Sequence, residues 1–245
     1  MLSKAQNKYI RSLTQQKYRK EYNVFIAEGD KIAREWLGSK AEIKMIVALQ
    51  EWAERHAPLI NKHPEASLHI VAPHELEAVS ALQTANQVLL VAVMPEPAEE
   101  LPTEGWCIAL EGIQDPGNMG TIIRIADWFG IKHILCSPDC ADIYNPKVVQ
   151  AAMGGHLRVQ VHITELDHFI STAKMPVLAA TLDGESIYSL PQMAEGILLI
   201  GNESKGLPAK LSAAASHKIM IPRRGGAESL NAAISTGILC AWLVR

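Results

Sequence analysis

The sequence predicts a mixed α/β protein built as two domains, and three observations carry that expectation. Short apolar runs alternate with segments whose apolar positions recur at helical spacing. An acidic, proline-rich stretch at residues 95–104 interrupts this alternation. The composition, 48% apolar and 20% charged over 245 residues with a net charge of −3, is that of an ordinary globular chain. Disordered, collagenous and low-complexity classes are excluded.

The elements follow in order. Residues 5–20 place Tyr9, Leu13 and Tyr18 among basic and amide side chains, and residues 27–37 give a second helical spacing. Strand-type runs follow at 43–48, 68–71 and 87–93, with a helix candidate at 74–82. The first domain, residues 1–94, therefore reads as α/β. In residues 95–104 Pro95, Pro97 and Pro102 remove backbone donors and fix φ among four glutamates, which marks a linker. Residues 105–245 then alternate clearly. Strands are expected at 106–110, 131–136, 159–163, 177–181, 197–201 and 218–221, and helices at 119–129, 146–153 and 229–243. Such alternation implies a mainly parallel sheet covered on both faces.

Several functional classes fall away. The apolar run at 88–94 is far short of the ~20 residues that cross a bilayer, so no membrane span is expected. The first twenty residues carry Lys4, Lys8, Arg11, Lys17, Arg19 and Lys20 and no acid, which argues against a secretory signal and predicts a cytoplasmic protein. Cys107, Cys136, Cys140 and Cys240 form no CxxC pair, so reduced, mostly buried thiols are expected, without metal.

Ligands of open α/β sheets sit at the carboxyl ends of strands, so the loops there carry the functional information. Three stand out. The first runs from Glu111 through Asp115, Pro116, Gly117, Asn118, Met119 and Gly120 to Arg124; it opens a helix, whose free N–H groups suit an anion. It reads equally as a turn capped by Asn118, with Arg124 on the surface. The second follows a buried strand with Gly201, Asn202, Glu203, Ser204, Lys205 and Gly206, where a missing side chain lets a ligand lie against backbone. The third carries Ile221, Pro222, Arg223, Arg224, Gly225 and Gly226 into Glu228, Ser229, Leu230 and Asn231. Its arginines suit phosphate, while Asn231 could simply cap the loop. GxGxxG, the GK[ST] phosphate loop and GxSxG are all absent, which disfavours nicotinamide, nucleotide triphosphate and serine-nucleophile chemistry.

Taken in order, these three motifs resemble those of the SpoU (TrmH) family of RNA ribose 2′-O-methyltransferases. Asn145, Pro146, Lys147, Val148 and Val149 supply a fourth match, and Ser3–Gln6 with Phe25, Ile26, Ala27, Glu28 and Gly29 resembles the RNA-binding, L30e-like domain that many members carry in front. The resemblance implies a SPOUT-type domain with a deep trefoil knot, S-adenosylmethionine as cofactor, and a homodimer whose interface includes the final helix. It assigns Gly201, Ile221 and Leu230 to the cofactor, completed by Thr181 and Leu182. Asn118, Arg124, Glu203, Ser229 and Asn231 become the catalytic set, with Arg124 of one chain serving a cofactor held mostly by the other. Arginine, with a pKa above about 12, is a poor base, so Arg124 is expected to position the 2′-hydroxyl and an adjacent phosphate.

Two departures from the family pattern stand out: Ser204 where glycine is common, and Gln150 where arginine is common. Lys4, Lys8, Arg11, Lys17 and Arg19, with Arg223 and Arg224, are expected to bind RNA phosphate. Tyr9, Tyr18 and Tyr22 either stack on bases or belong to a core. The expected activity is methyl transfer to a ribose 2′-hydroxyl of structured RNA, with rRNA preferred. The alternatives are a tRNA methyltransferase and an inactive RNA-binding or ribosome-assembly protein.

Overall fold

A computed structural model describes residues 1–82, 84, 86–96 and 100–244. Residues 97–99, inside the stretch read as a linker, lie outside the described residues. The chain divides into two compact units, residues 1–96 with 144–157 and residues 97–143 with 158–245.

In chain order the elements are α1 (Lys4–Ser12), α2 (Gln16–Tyr22), β1 (Val24–Glu28), α3 (Asp30–Gly38), β2 (Ile43–Ala48), α4 (Gln50–Arg55), α5 (Ala57–Ile60), β3 (Ser67–Ile70), α6 (Pro73–Glu77) and β4 (Val88–Val93). There follow β5 (Trp106–Leu110), α7 (Pro116–Trp128), β6 (His133–Cys136), α8 (Pro146–Ala152), β7 (Gln160–Ile163), α9 (Leu166–Thr172), β8 (Val177–Ser186), β9 (Gly196–Ile200), α10 (Ala209–Ala214), β10 (His217–Met220) and α11 (Ala232–Leu243).

The first unit is a four-stranded sheet in the order β1-β4-β2-β3. Its core includes Phe25, Trp36, Trp52 and Val149. Val149 comes from α8, and Tyr144 lies 4.7 Å from Phe25, so the segment carrying Asn145 to Val149 completes the apolar core of this unit. Gln150 sits on the same helix, near Gly29. Ser3 starts α1 with a capping box: its hydroxyl accepts from the Gln6 N–H at 3.2 Å, and the Gln6 side chain accepts from the Ser3 N–H at 2.8 Å.

Four expectations need correction here. Residues 5–20 form two helices, because the chain turns at the fully buried Leu13. Arg19 was expected to meet RNA, but it is 1% exposed and its guanidinium donates to the Leu13 carbonyl at 2.8 Å. It holds the turn between α1 and α2 and cannot reach a phosphate without dismantling it. Residues 27 and 28 belong to β1, and the helix begins only after Gly29, whose φ of +109° breaks the segment. The helix expected at 74–82 stops at Glu77; beyond it the Ser80 hydroxyl and the Ala81 N–H turn to the Glu28 carboxylate. Lys4, Lys8, Arg11 and Lys17 remain exposed. Tyr9 and Tyr18 pack on the core with their rings against Tyr22, which is itself 45% exposed.

The second unit is a six-stranded, wholly parallel sheet in the order β10-β8-β9-β5-β6-β7. Apolar strands such as β9, buried along its whole length, suit such a sheet. The helices α9 and α10 were not expected from the sequence. α11 packs on α7, where Gly237 faces Ile125. Among the described residues no helix is long and apolar enough to cross a membrane, and no group of three or more His, Cys, Asp or Glu could hold a metal.

The pairing of β10 with β8 has an unusual register. Lys218 lies opposite Ala179 but Ile219 lies opposite Glu185, so residues 180–184 leave the ladder between them. Gly184 brings the chain back: a Cβ there would stand 2.5 Å from the Lys218 carbonyl carbon. Gly184→Ala should therefore destabilise the protein by about 1–3 kcal/mol, the usual scale of overpacking, whereas Gly38→Ala, with open space around it, should not. Urea unfolding of both variants measures the difference; equal stability would show that the strands can part.

Candidate active site

The middle of β8 and the carboxyl ends of β9 and β10 meet around a cavity of about 710 Å³. Its walls come from residues 180–183, 200–207, 219, 221–225, 227–230 and 232, with Ser212, Ser235 and Leu239. The second of these bends back on its own strand. A Cβ on Gly201 would lie 2.6 Å from the Gly206 carbonyl carbon and 2.7 Å from the Leu207 nitrogen, so only glycine lets the loop close. Asn202 then fastens it. Its Oδ1 accepts from the N–H groups of Ser204 (2.9 Å) and Lys205 (3.0 Å), and its Nδ2 donates to the Gly112 carbonyl at 2.7 Å. Ser204 fits where glycine is common because its φ is not positive.

The first loop joins the same site. Asp115, rather than Asn118, caps α7, its carboxylate accepting from the Asn118 N–H at 2.7 Å with Pro116 following. The Asn118 side chain is thereby free for other partners. Its Nδ2 donates to the Glu203 carboxylate and its Oδ1 accepts from Asn231 Nδ2 at 2.8 Å. Asn231 also caps α11, accepting from Ala233 and Ile234. One residue from each glycine loop thus enters a single polar chain, Glu203–Asn118–Asn231.

Thr181, Leu182, Gly201, Ile221 and Leu230 all line the cavity, as do Glu203, Ser229, Arg223 and Arg224. Asn118 and Asn231 adjoin it through Glu203. Arg124 does not line it: the side chain is exposed on α7, without a hydrogen-bond or ion-pair partner among the described residues. Lys4, Lys8, Arg11 and Lys17 belong to the first unit. Sequence reasoning missed Asn202 as the fastening of the second loop, although an Asn directly after a strand-ending glycine is a turn-forming signal. Asp183, Lys205 and Glu228, to which sequence reasoning assigned no role, also line the cavity.

The cavity has the features of a site for a small polar-apolar molecule. The Thr181 hydroxyl is buried on its wall with no hydrogen-bond partner among the described residues. A buried, unsatisfied hydroxyl costs about 1–3 kcal/mol, which a bound ligand would recover. Leu182 and Leu230 supply apolar surface, 76% and 45% exposed, beside the glycine backbone at 201.

Behind the first loop, Ser137 accepts from the Gly112 N–H at 2.9 Å, and Cys140 accepts from the Ile113 N–H at 3.3 Å. Hydrogen bonding from Cys136, then from Ser137 and Ile113, outweighs burial and holds the Cys140 thiol down to about 7. Burial pushes Cys107 and Cys240 up to about 12. Burial, with the nearby Asp139 carboxylate, raises the Glu111 carboxyl.

Residues 105–241 match the SpoU rRNA Methylase family, and residues 4–90 match the MRM3-like substrate binding domain. The 23S rRNA (guanosine(2553)-2′-O)-methyltransferase RlmP of Bacillus subtilis is 29% identical over 235 residues, covering 94% of this chain and 92% of its own. The 23S rRNA (uridine(2479)-2′-O)-methyltransferase of Streptomyces viridochromogenes is 28% identical over 166 residues, 61% of this chain and 58% of its own. Among solved structures, an AdoMet-bound rRNA methyltransferase from Sinorhizobium meliloti superimposes with a TM-score of 0.87 at 30% identity, over 99% of this chain and 95% of that one.

The environment of Cys140 has a measurable consequence. The thiolate is the reactive form, so alkylation by iodoacetamide should rise as pH passes through about 7. Cys140→Ala should abolish this phase. Peptide mapping that places the label first on another cysteine, or a midpoint near the ordinary thiol value, would contradict the assignment.

Proposed function

The chain belongs to the SpoU rRNA methylase family, and from that premise we propose that it transfers a methyl group from S-adenosylmethionine to a ribose 2′-hydroxyl of ribosomal RNA. The observation that carries this reading is the convergence of three glycine loops on one cavity, with the Glu203–Asn118–Asn231 chain beside it.

The sulfonium of the cofactor supplies an electrophilic methyl group. The protein's own task is alignment, since a well-oriented pair of reactants needs no further activation beyond removal of one proton. In this reading the backbone at Gly201, with Ile221 and Leu230, holds the donor, and the unpartnered Thr181 hydroxyl finds its bond there. Glu203 and Asn231 orient the Asn118 amide from both ends, and Ser229 completes the polar wall. Arg124 positions the accepting hydroxyl and its neighbouring phosphate, because an always-charged guanidinium is suited to stabilising anionic oxygen.

A homodimer explains two features together. α11 exposes Ile234 (56%) and Ile238 (36%), an apolar face that a second copy would cover. Arg124, which lies off the cavity of its own chain, would serve the cavity of its partner. The deep trefoil knot that the family resemblance implies is part of this reading for residues 105–245. Exposed Lys4, Lys8, Arg11 and Lys17, with Arg223 and Arg224 at the cavity, form the phosphate-binding surface, and the protein acts in the cytoplasm.

Labelled methyl from S-adenosylmethionine should appear in rRNA with the adjoining phosphodiester resistant to alkali. Binding without incorporation would leave only an RNA-binding protein, and label without resistance would indicate a base methyltransferase. Arg124→Ala should lower turnover by about a hundredfold or more, the scale of a lost positioning contact, with cofactor affinity near normal. A large loss of cofactor affinity would overturn that role.

Replacing Lys4 and Lys8 together by Ala should weaken RNA binding and flatten its log–log salt dependence by about 1.4–1.8, as the loss of two phosphate contacts does. An unchanged slope would return α1 to an ordinary solvated helix.

A further inference from the structure

The first unit holds a cavity of its own, about 640 Å³, walled by that unit's residues alone. It opens at the rim where β1 and β2 end and β4 begins. The Gly29 N–H donates to the Val88 carbonyl at 3.1 Å and the Leu49 N–H to the Gln87 carbonyl at 3.0 Å, which holds those strand ends together beside the Asn86 and Gln87 amides. A second wall comes from the end of α4, Arg55 and His56, and a third from Pro73 and Glu77 of α6.

The floor is rigid. Asp30 accepts from Trp52 Nε1 at 2.9 Å, pairs with Arg34 at 3.1 Å and lies 3.5 Å from His56 Nε2, while the His56 and Trp52 rings sit 4.5 Å apart. Arg55 and Glu77 differ from these: both are exposed, and neither has a hydrogen-bond or ion-pair partner among the described residues.

This inventory matches one unpaired nucleotide. A splayed base needs planar groups to stack against and both donors and acceptors along its pairing edge, and its phosphate needs a cation. His56 and the guanidinium planes supply the first, Asn86, Gln87 and Glu77 the second, and Arg55 the third. The volume lies within the ~300–1,000 Å³ of ordinary small-ligand sites. A plain phosphate-binding patch would not include Glu77, whose charge repels the backbone but accepts a base N–H. The basic helix α1 starts from the same region, since the Leu2 N–H donates to Glu75 at 3.3 Å and Gln6 Nε2 meets His69 Nε2 at 3.2 Å. Lys4 and Lys8 thus follow directly from the segment that builds the third wall.

We infer that this cavity, through Arg55, His56, Glu77 and the Asn86–Gln87 amides, takes one unpaired nucleotide of the RNA substrate, an inference that rests on the proposed function and deepens it. Filter binding with purified rRNA and with a fully paired RNA duplex as probes tests it. Arg55→Ala and Glu77→Gln should each weaken rRNA binding about tenfold, the scale of one held base, and leave duplex binding within about twofold. Thermal melting checks that both variants are folded, as exposed substitutions should be. Unchanged rRNA affinity in both variants would overturn the inference. So would tighter binding of both probes by Glu77→Gln, the signature of simple charge repulsion. If the wild-type protein methylates rRNA and both variants bind it normally, the cavity assignment fails and the function stands. If the wild type binds rRNA without methylating it, the function fails and the same binding comparison still decides the cavity.

Discussion

Where Gly184 and Gly201 stand, stretches of backbone pass so close that a single added methyl group would collide with peptide atoms at 2.5 to 2.6 Å. These two close approaches shape the second unit. Gly184 lets residues 180–184 leave the β8–β10 ladder and rejoin it, and Gly201 lets the following loop fold back on β9. Between them they open the cavity at the carboxyl ends of the strands. Asn202 secures the result with three hydrogen bonds, at a typical net worth of about 1 kcal/mol each.

From that geometry the polar chemistry follows. Because Asp115 takes over the capping of α7, the Asn118 amide can bridge Glu203 and Asn231. Each bridged residue belongs to a different loop, so the polar chain exists only when all three loops are in place. Arg124 stands apart from this construction, exposed on α7. The fold therefore separates Arg124 from the groups proposed to hold the donor.

Much of the site was legible because it is local. Strands ending in glycine, and helices opening with Asp-Pro or Asn, announce themselves in the sequence, and β5 and β2 fall where the apolar runs place them. What was illegible depends on partners distant in sequence. Nothing near Arg19 signals that its guanidinium will be consumed by the Leu13 carbonyl. Residues 27 and 28 have helical spacing, yet pairing with Leu90 and Leu89 of β4 draws them into a strand. Residues 144–157 lie between two strands of the second sheet but complete the core of the first unit through Tyr144 and Val149, because apolar packing rather than chain order decides which core a segment joins. The motif residues were legible through their resemblance to family motifs; their mutual hydrogen bonds were not.

On the proposed function, three loops build one niche for the methyl donor. A crystal structure of the protein with S-adenosylhomocysteine bound tests it most directly. The ligand should lie between residues 180–183, 201–206 and 221–230, with the Thr181 hydroxyl hydrogen-bonded to it. Ligand density at any other place, or a Thr181 hydroxyl still without a partner beside an ordered ligand, would contradict it.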